Sequence, residues 1–212
     1  MIQKIQKLII NNYKWVICFL CIILFLVLAE DVFTHEIMNG DIIGYNLISK
    51  YLIKDNITPI MKIITFYGGA IFLVSLTILL FIIIKNKKIG IIIGTNLVTI
   101  TPLNQLFKFI LQRPRPTEYR IINEVGYSFP SGHSITSMVF YGYLVYLTYK
   151  YINNKKIKIP LIIFLVLLIP TIGLSRIYLG VHYASDVLCG FLLGIIYLIL
   201  FISISKKYLE KK

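Results

Sequence analysis

Two short stretches hold nearly every side chain in this sequence that could do chemistry: KFILQRPRPTEYRIINEVGYSFPSGH, from Lys108 to His133, and SRIYLGVHYASD, from Ser175 to Asp186. Between them they supply several cations, two histidines and a carboxylate near helix ends. That set suits phosphoryl transfer, because a phosphate dianion is held by clustered cations and helix N-terminal amides, most strongly where water is partly excluded. In SFPSGHSITS, Pro130 suits the first turn of a helix, Gly132 lets the backbone approach a ligand closely, and Ser131 has a hydroxyl to donate. The stretch reads as an anion cradle at a helix start. Imidazole titrates at about pH 6.5, so one histidine can attack while another acts as general acid. His182 and Asp186 are four residues apart. At one helical turn, the carboxylate can accept the imidazole N–H and leave the other nitrogen to attack phosphorus. His133 then protonates the leaving oxygen.

Lys108, Arg113, Arg115, Arg120 and Arg176 are the cations of these stretches. Ionisable groups at a membrane mark a site by default. The competing reading is that they hold helix ends at lipid headgroups, and it suits Arg113 and Arg120 best.

The elements that must position these groups are apolar. Of 212 residues 58% are hydrophobic and 15% charged, and the apolar residues come in unbroken runs, a membrane composition. A spanning helix needs about 20 mostly apolar residues. Six runs qualify: Trp15 to Phe33, Ile57 to Ile84, Ile89 to Ile110, His133 to Tyr149, Ile159 to Leu174 and Ala184 to Ile204. The expected fold is therefore an all-α, integral-membrane bundle of six transmembrane helices, in one domain spanning residues 1–212 with its motif-bearing core at about 85–205. Lys4, Lys7 and Lys14 before the first run resemble a signal peptide, yet no clear small-x-small cleavage site follows.

The net charge of +13 is topological. Lys4, Lys7 and Lys14, then Lys85, Lys87 and Lys88, then Lys150, Lys155, Lys156 and Lys158, then Lys206, Lys207, Lys211 and Lys212 fall on one side of a six-span chain. Glu30, Asp31, Glu36, Asp41, Asp55, Glu118, Glu124 and Asp186 fall on the other. Lysine in short loops marks the cytoplasmic face, so both termini are expected inside and the site outside, in the cell membrane. The basic balance is thus accounted for without nucleic acid, and the bilayer is the expected partner.

Between the first two spans, Ile42, Ile43, Leu47, Ile48, Tyr51 and Leu52 form one apolar face of a helix expected to lie along the membrane surface. His35 beside Glu36 reads as a solvated histidine in preference to a metal site. Cys18, Cys21 and Cys189 read as apolar packing with no disulfide. The Gly90/Gly94 and Gly190/Gly194 pairs have the spacing that lets helices approach closely.

At the site stretches the sequence resembles the type 2 phosphatidic acid phosphatase family, membrane relatives of bacterial acid phosphatases and vanadium haloperoxidases. Lys108, six residues, then Arg115-Pro116 is similar to the family's first motif; Pro130-Ser131-Gly132-His133 to the second; Ser175-Arg176, five residues, His182, three residues, Asp186 to the third. Of the two arginines in RPRP, only Arg115 has the family's spacing from Lys108. The resemblance implies a phosphatase that needs no metal or other cofactor and works through a phosphohistidine. It implies that Lys108, Arg115 and Arg176 hold the phosphate with Ser131 and Gly132, that His182 attacks, that His133 is the acid and that Asp186 orients His182. The implied substrate is a lipid phosphate: undecaprenyl diphosphate, phosphatidylglycerol phosphate or phosphatidic acid. The polar outer end of the third span (Thr95, Asn96, Thr99, Thr101, Asn104, Gln105) agrees with a headgroup bound at the interface. Two alternatives remain at this stage. One is a phosphotransferase that uses the same groups on a lipid or sugar acceptor. The other is a small transporter, whose broken helices Pro102 and Pro170 could supply.

Overall fold

The structure, a computed structural model, describes residues 12–34 and 37–210. Within them lie eight helices and no strand: α1 (Tyr13–Thr34), α2 (Asn39–Tyr51), α3 (Thr58–Tyr67), α4 (Ala70–Ile83), α5 (Lys87–Leu111), α6 (Gly132–Tyr151), α7 (Lys155–Tyr178) and α8 (Ala184–Glu210). His35, Glu36, Lys4, Lys7, Lys211 and Lys212 lie outside the described residues.

Helices α1, α5, α7 and α8 are each long and apolar enough to cross a membrane, and α3 with α4 form a fifth candidate bent by 50°. Among the described residues, four of the six runs of the sequence therefore meet that test, or five with the bent pair. The expected fourth span is α6, which is 20 residues long but diluted by Ser134, Thr136, Ser137, Gly142 and Thr148. Its place in the fold explains that composition. Packed against α5, α7 and α8, it turns Ser134, Ser137 and Thr148 into protein and away from lipid. The bend in the second run falls at Gly68-Gly69, where the backbone presses on α7: a Cβ on Gly68 would lie 2.5 Å from Ile172 and 3.1 Å from the His133 ring. Pro102 and Pro170 break nothing, since α5 and α7 continue through them.

Helix starts follow local chemistry. Asn86 and Asn154 cap α5 and α7, their side chains accepting from Lys88 N at 3.1 Å and Lys156 N at 3.0 Å. Gln112, left-handed at φ 43°, stops α5, its N–H closing the last turn on Lys108 O at 3.0 Å, and the RPRP that follows is not helical. Gly190 and Gly194 set the approach of α8 to α6: a Cβ on Gly190 would lie 2.8 Å from Ser134 Cβ and 2.9 Å from Ser131 O, and one on Gly194 2.8 Å from Met138. Cys18, Cys21 and Cys189 are buried free thiols.

Three apolar clusters hold the bundle. One joins Leu73, Ile93, Phe140, Tyr141 and Ile172 across α4 to α7. A second joins Phe25, Ile100, Phe129, Val139 and Cys189. The third lies beneath α2 and α3, where Ile48 and Met61 meet Tyr178, Leu179, Val181 and Val187. Leu179 and Val181 are fully buried, and such burial stabilises by about 1.5–3 kcal/mol per side chain. It fixes the turn that carries His182. Helix α2 packs on α7 and α8 with Asp41 and Ile48 inward, whereas Ile42, Ile43, Leu47 and Tyr51 are exposed.

Candidate active site

The first site element is the start of α6. Ser131 caps it, its oxygen accepting from Ser134 Oγ at 2.9 Å and from Ser134 N at 3.4 Å, roles that leave its own proton to donate. Ser131 N donates to the backbone carbonyl of Asp186 at 3.0 Å, so the cradle is tied to α8. Gly132 opens the helix with Asn104 against it, 2.9 Å from where a Cβ would stand. His133 follows in the first turn, beside the Gly68-Gly69 break and in the field of Arg176, His182, Arg115 and Lys108.

The second element is the turn between α7 and α8. Gly180, at φ +70°, approaches Tyr119 so closely that a Cβ would fall 2.1 Å from its carbonyl oxygen, a place for glycine. His182, 3% exposed, then points Nδ1 at Asp186 Oδ2, 3.3 Å away, and Nε2 at Arg115 Nη1, 3.2 Å away. Burial disfavours the imidazolium and pulls the His182 pKa down to about 4, against the opposing pull of Asp186. Burial thus favours the neutral ring, and with Nδ1–H donated to Asp186 the Nε2 lone pair is the one that meets Arg115. Asp186 is wholly buried. Its Oδ2 also accepts from Tyr183 N at 2.9 Å, and its Oδ1 accepts from Arg113 Nη1 at 2.7 Å.

The cations converge from three elements. Lys108, in the last turn of α5, donates to Tyr127 O at 2.5 Å and Ser128 O at 3.4 Å. Arg115 donates to the carbonyls of Gly126, Val181 and Val125 at 2.9, 2.9 and 3.2 Å. Arg176, 1% exposed, donates to Thr65 Oγ1 at 2.7 Å and Glu124 Oε1 at 2.6 Å, while its Nε is buried with no partner. Burial alone would raise the Glu124 pKa, but the Arg176 hydrogen bond and charge outweigh it and hold the carboxyl below its usual range. The structure thus brings all eight sequence-selected residues, Lys108, Arg115, Ser131, Gly132, His133, Arg176, His182 and Asp186, to the adjoining ends of α5, α6, α7 and α8.

The fold gives three groups contacts that the sequence does not announce. Arg113, which the sequence suits to a headgroup contact, is 2% exposed and forms buried ion pairs with Asp186 and Asp41, each 2.7 Å long. Asp41 reads in the sequence only as an outer-loop charge. Glu124 reads the same way and is the partner of Arg176. The acidic member of each pair lies far along the chain from its arginine, so no spacing rule could have found it. Beside His182 opens a cavity of about 370 Å3 lined by, among others, Asp41, Ile42, Tyr45, Tyr119 and Tyr183, with Tyr45 and Tyr119 stacked at 4.8 Å.

Comparison with known proteins bears on the family and the fold. The PAP2 superfamily sequence model matches residues 68–210. Phosphatidylglycerophosphatase B of Bacillus subtilis is 32% identical over 192 residues, which cover 87% of this chain and 91% of that protein. An undecaprenyl-diphosphatase of Sulfolobus acidocaldarius is 29% identical over 194 residues, 86% of each. The crystal structure of a transmembrane PAP2-type phosphatidylglycerolphosphate phosphatase from Bacillus subtilis superposes with a TM-score of 0.78 at 28% identity, covering 92% of this chain and 98% of that one. Fold and sequence agree over nearly the whole length, and the chain belongs to the PAP2 superfamily.

Proposed function

We propose that this protein is an integral-membrane lipid phosphatase that cleaves a phosphomonoester or diphosphate lipid at the outer membrane face through a phosphohistidine intermediate. One observation carries the reading: a neutral, buried His182 whose Nδ1 is held by Asp186 and whose Nε2 faces the Arg115 guanidinium. A phosphoryl group held by Arg115, Arg176, Lys108, the Ser131 hydroxyl and the Gly132 N–H then lies before Nε2, whose lone pair is released for attack as the Arg115 guanidinium turns from it to the phosphate. His182 Nε2 forms the N–P bond as the P–O bond to the lipid breaks, and His133, as imidazolium, gives its proton to the departing oxygen and becomes neutral imidazole. Water next attacks phosphorus, its proton passes to His133, and the N–P bond breaks to release inorganic phosphate and restore the His182 imidazole and the His133 imidazolium. The cations supply the charge that stabilises the transition state, so the scheme needs no metal.

Undecaprenyl diphosphate, phosphatidylglycerol phosphate and phosphatidic acid are the candidate substrates. The names of the relatives support a lipid phosphate, and the cavity beside His182, partly apolar, offers room for the lipid portion next to the headgroup. The sidedness of the lysines supports six membrane crossings, with α6 and the bent α3–α4 pair each counted as one, cytoplasmic termini and an outward site. Exposed Ile42, Ile43, Leu47 and Tyr51 support α2 lying in the interface.

Purified protein in detergent, offered the three lipids with excess chelator, is expected to release phosphate at an undiminished rate, and His182→Ala to release none. No release by the wild type from any of them overturns the phosphatase reading, and loss on chelation overturns the metal-free mechanism. Asn123→Cys, in a background lacking the native cysteines, should react with an impermeant thiol reagent in intact cells. Labelling only after lysis would reverse the orientation.

A further inference from the structure

Arg113 is built into the protein interior in a way that headgroup contact does not explain. Its Nη1 donates to Asp186 Oδ1 at 2.7 Å and to Ser185 Oγ at 2.8 Å, and its Nη2 donates to Asp41 Oδ2 at 2.7 Å. The Tyr183 ring lies over the guanidinium at 4.1 Å. Asp41 is equally committed: Oδ1 accepts from Ser185 N at 2.8 Å, and Oδ2 from Ser185 Oγ at 2.9 Å. Three chain segments meet here, namely α2 through Asp41, the link after α5 through Arg113, and the first turn of α8 through Ser185 and Asp186.

We propose that Arg113 and Asp41 are positioning residues for phosphoryl transfer, a fork that holds the Asp186 carboxylate and through it orients the His182 imidazole. The inference rests on the phosphohistidine reading above. The two oxygens of Asp186 have divided tasks: Oδ2 receives His182 Nδ1 and Tyr183 N, whereas Oδ1 receives Arg113. With both edges engaged, the plane of the carboxylate is set, and with it the direction in which Nε2 points. Arg113 carries one positive charge against two carboxylates, so the buried group keeps a net negative charge. That charge faces the imidazole as it becomes positive on bonding to phosphorus. Asp41 fixes the far side of the guanidinium and makes α2 part of the catalytic apparatus.

The full-length protein in detergent tests this with Arg113→Met, Arg113→Lys, Asp41→Asn and the Arg113→Met/Asp41→Asn double variant, each checked for folding by its thermal transition. A misdirected nucleophile lowers kcat without weakening substrate binding, so Arg113→Met should lose about 10²-fold in kcat with KM within about twofold of wild type. Arg113→Lys should recover about tenfold of that loss, and the double variant should be no more than about threefold slower than Arg113→Met, because Asp41 acts through the same guanidinium. A rise in KM at unchanged kcat, a lysine variant as slow as the methionine one, or additive losses would each overturn the proposal. If Arg113→Met does not fold, Asp41→Asn decides, and an unchanged kcat there sinks the idea. A wild type that releases no phosphate fails the phosphatase reading itself, whereas an active wild type beside variants of unchanged kcat fails only this inference.

Discussion

Replacing Asp186 by asparagine tests the nucleophile directly, since the side chain keeps its shape and loses its charge. In the wild type the carboxylate is 3.3 Å from His182 Nδ1 and wholly buried. As His182 bonds to phosphorus the imidazole gains positive charge, and a full charge pair at this separation is worth about 5 kcal/mol at an effective dielectric near 20. The Arg113 ion pair at 2.7 Å draws off part of that field, which leaves about 3–4 kcal/mol of transition-state stabilisation to lose. Each 1.4 kcal/mol is about tenfold in rate, so kcat should fall about 10²- to 10³-fold while KM changes little. The assay is steady-state phosphate release from a lipid phosphate in detergent, beside acid-quench trapping of phosphoenzyme during the first turnover. Phosphoenzyme formation itself must slow in parallel with kcat. An asparagine variant within about threefold of wild type, or one that loses only affinity, would show that His182 does not depend on this carboxylate and would refute the reasoning.

Other outcomes follow from the same geometry. The folded-state pKa of His182 is depressed to about 4, below the unfolded value of about 6.5. As pH falls between the two, the unfolded chain binds the extra proton first, so stability declines across that window while His182 in the substrate-free enzyme stays neutral to about pH 5. Histidine 15N NMR of the protein in micelles reads this, and a titration of His182 near 6.5 would contradict it. Gly190→Val drives a side chain into Ser134 Cβ and Ser131 O, 2.8 and 2.9 Å from its Cβ position. It should lower stability by about 1–3 kcal/mol and reduce turnover by parting Ser131 from Asp186, with denaturant unfolding and phosphate release as the measurements. Glu124→Gln removes the anion that competes for Arg176, so inhibition by inorganic phosphate should tighten about three- to tenfold; unchanged or weaker inhibition would mean that Arg176 is not a phosphate ligand.

Membrane character and family are legible in the order of residues alone. A hydrocarbon core demands long apolar helices, which show as unbroken runs, and the candidate site residues stand at helical or motif spacing on two short segments, so Lys108, Arg115, Ser131 to His133, Arg176, His182 and Asp186 can be picked out as candidates before the fold gathers them. The helical placement of α2 was also visible in the periodicity of Ile42 to Leu52. What each arginine contacts emerges from the fold, because ion pairing depends on residues brought together from distant parts of the chain. Arg113 and Arg115 look alike in RPRP, yet one is enclosed between Asp41 and Asp186 and the other faces His182 Nε2. In the same way, hydropathy cannot reveal that Gly68-Gly69 bends the second apolar run, or that α6 hides its polar side chains in the bundle interior. Both follow from close helix contacts, which a glycine permits but whose partner its place in the sequence does not name.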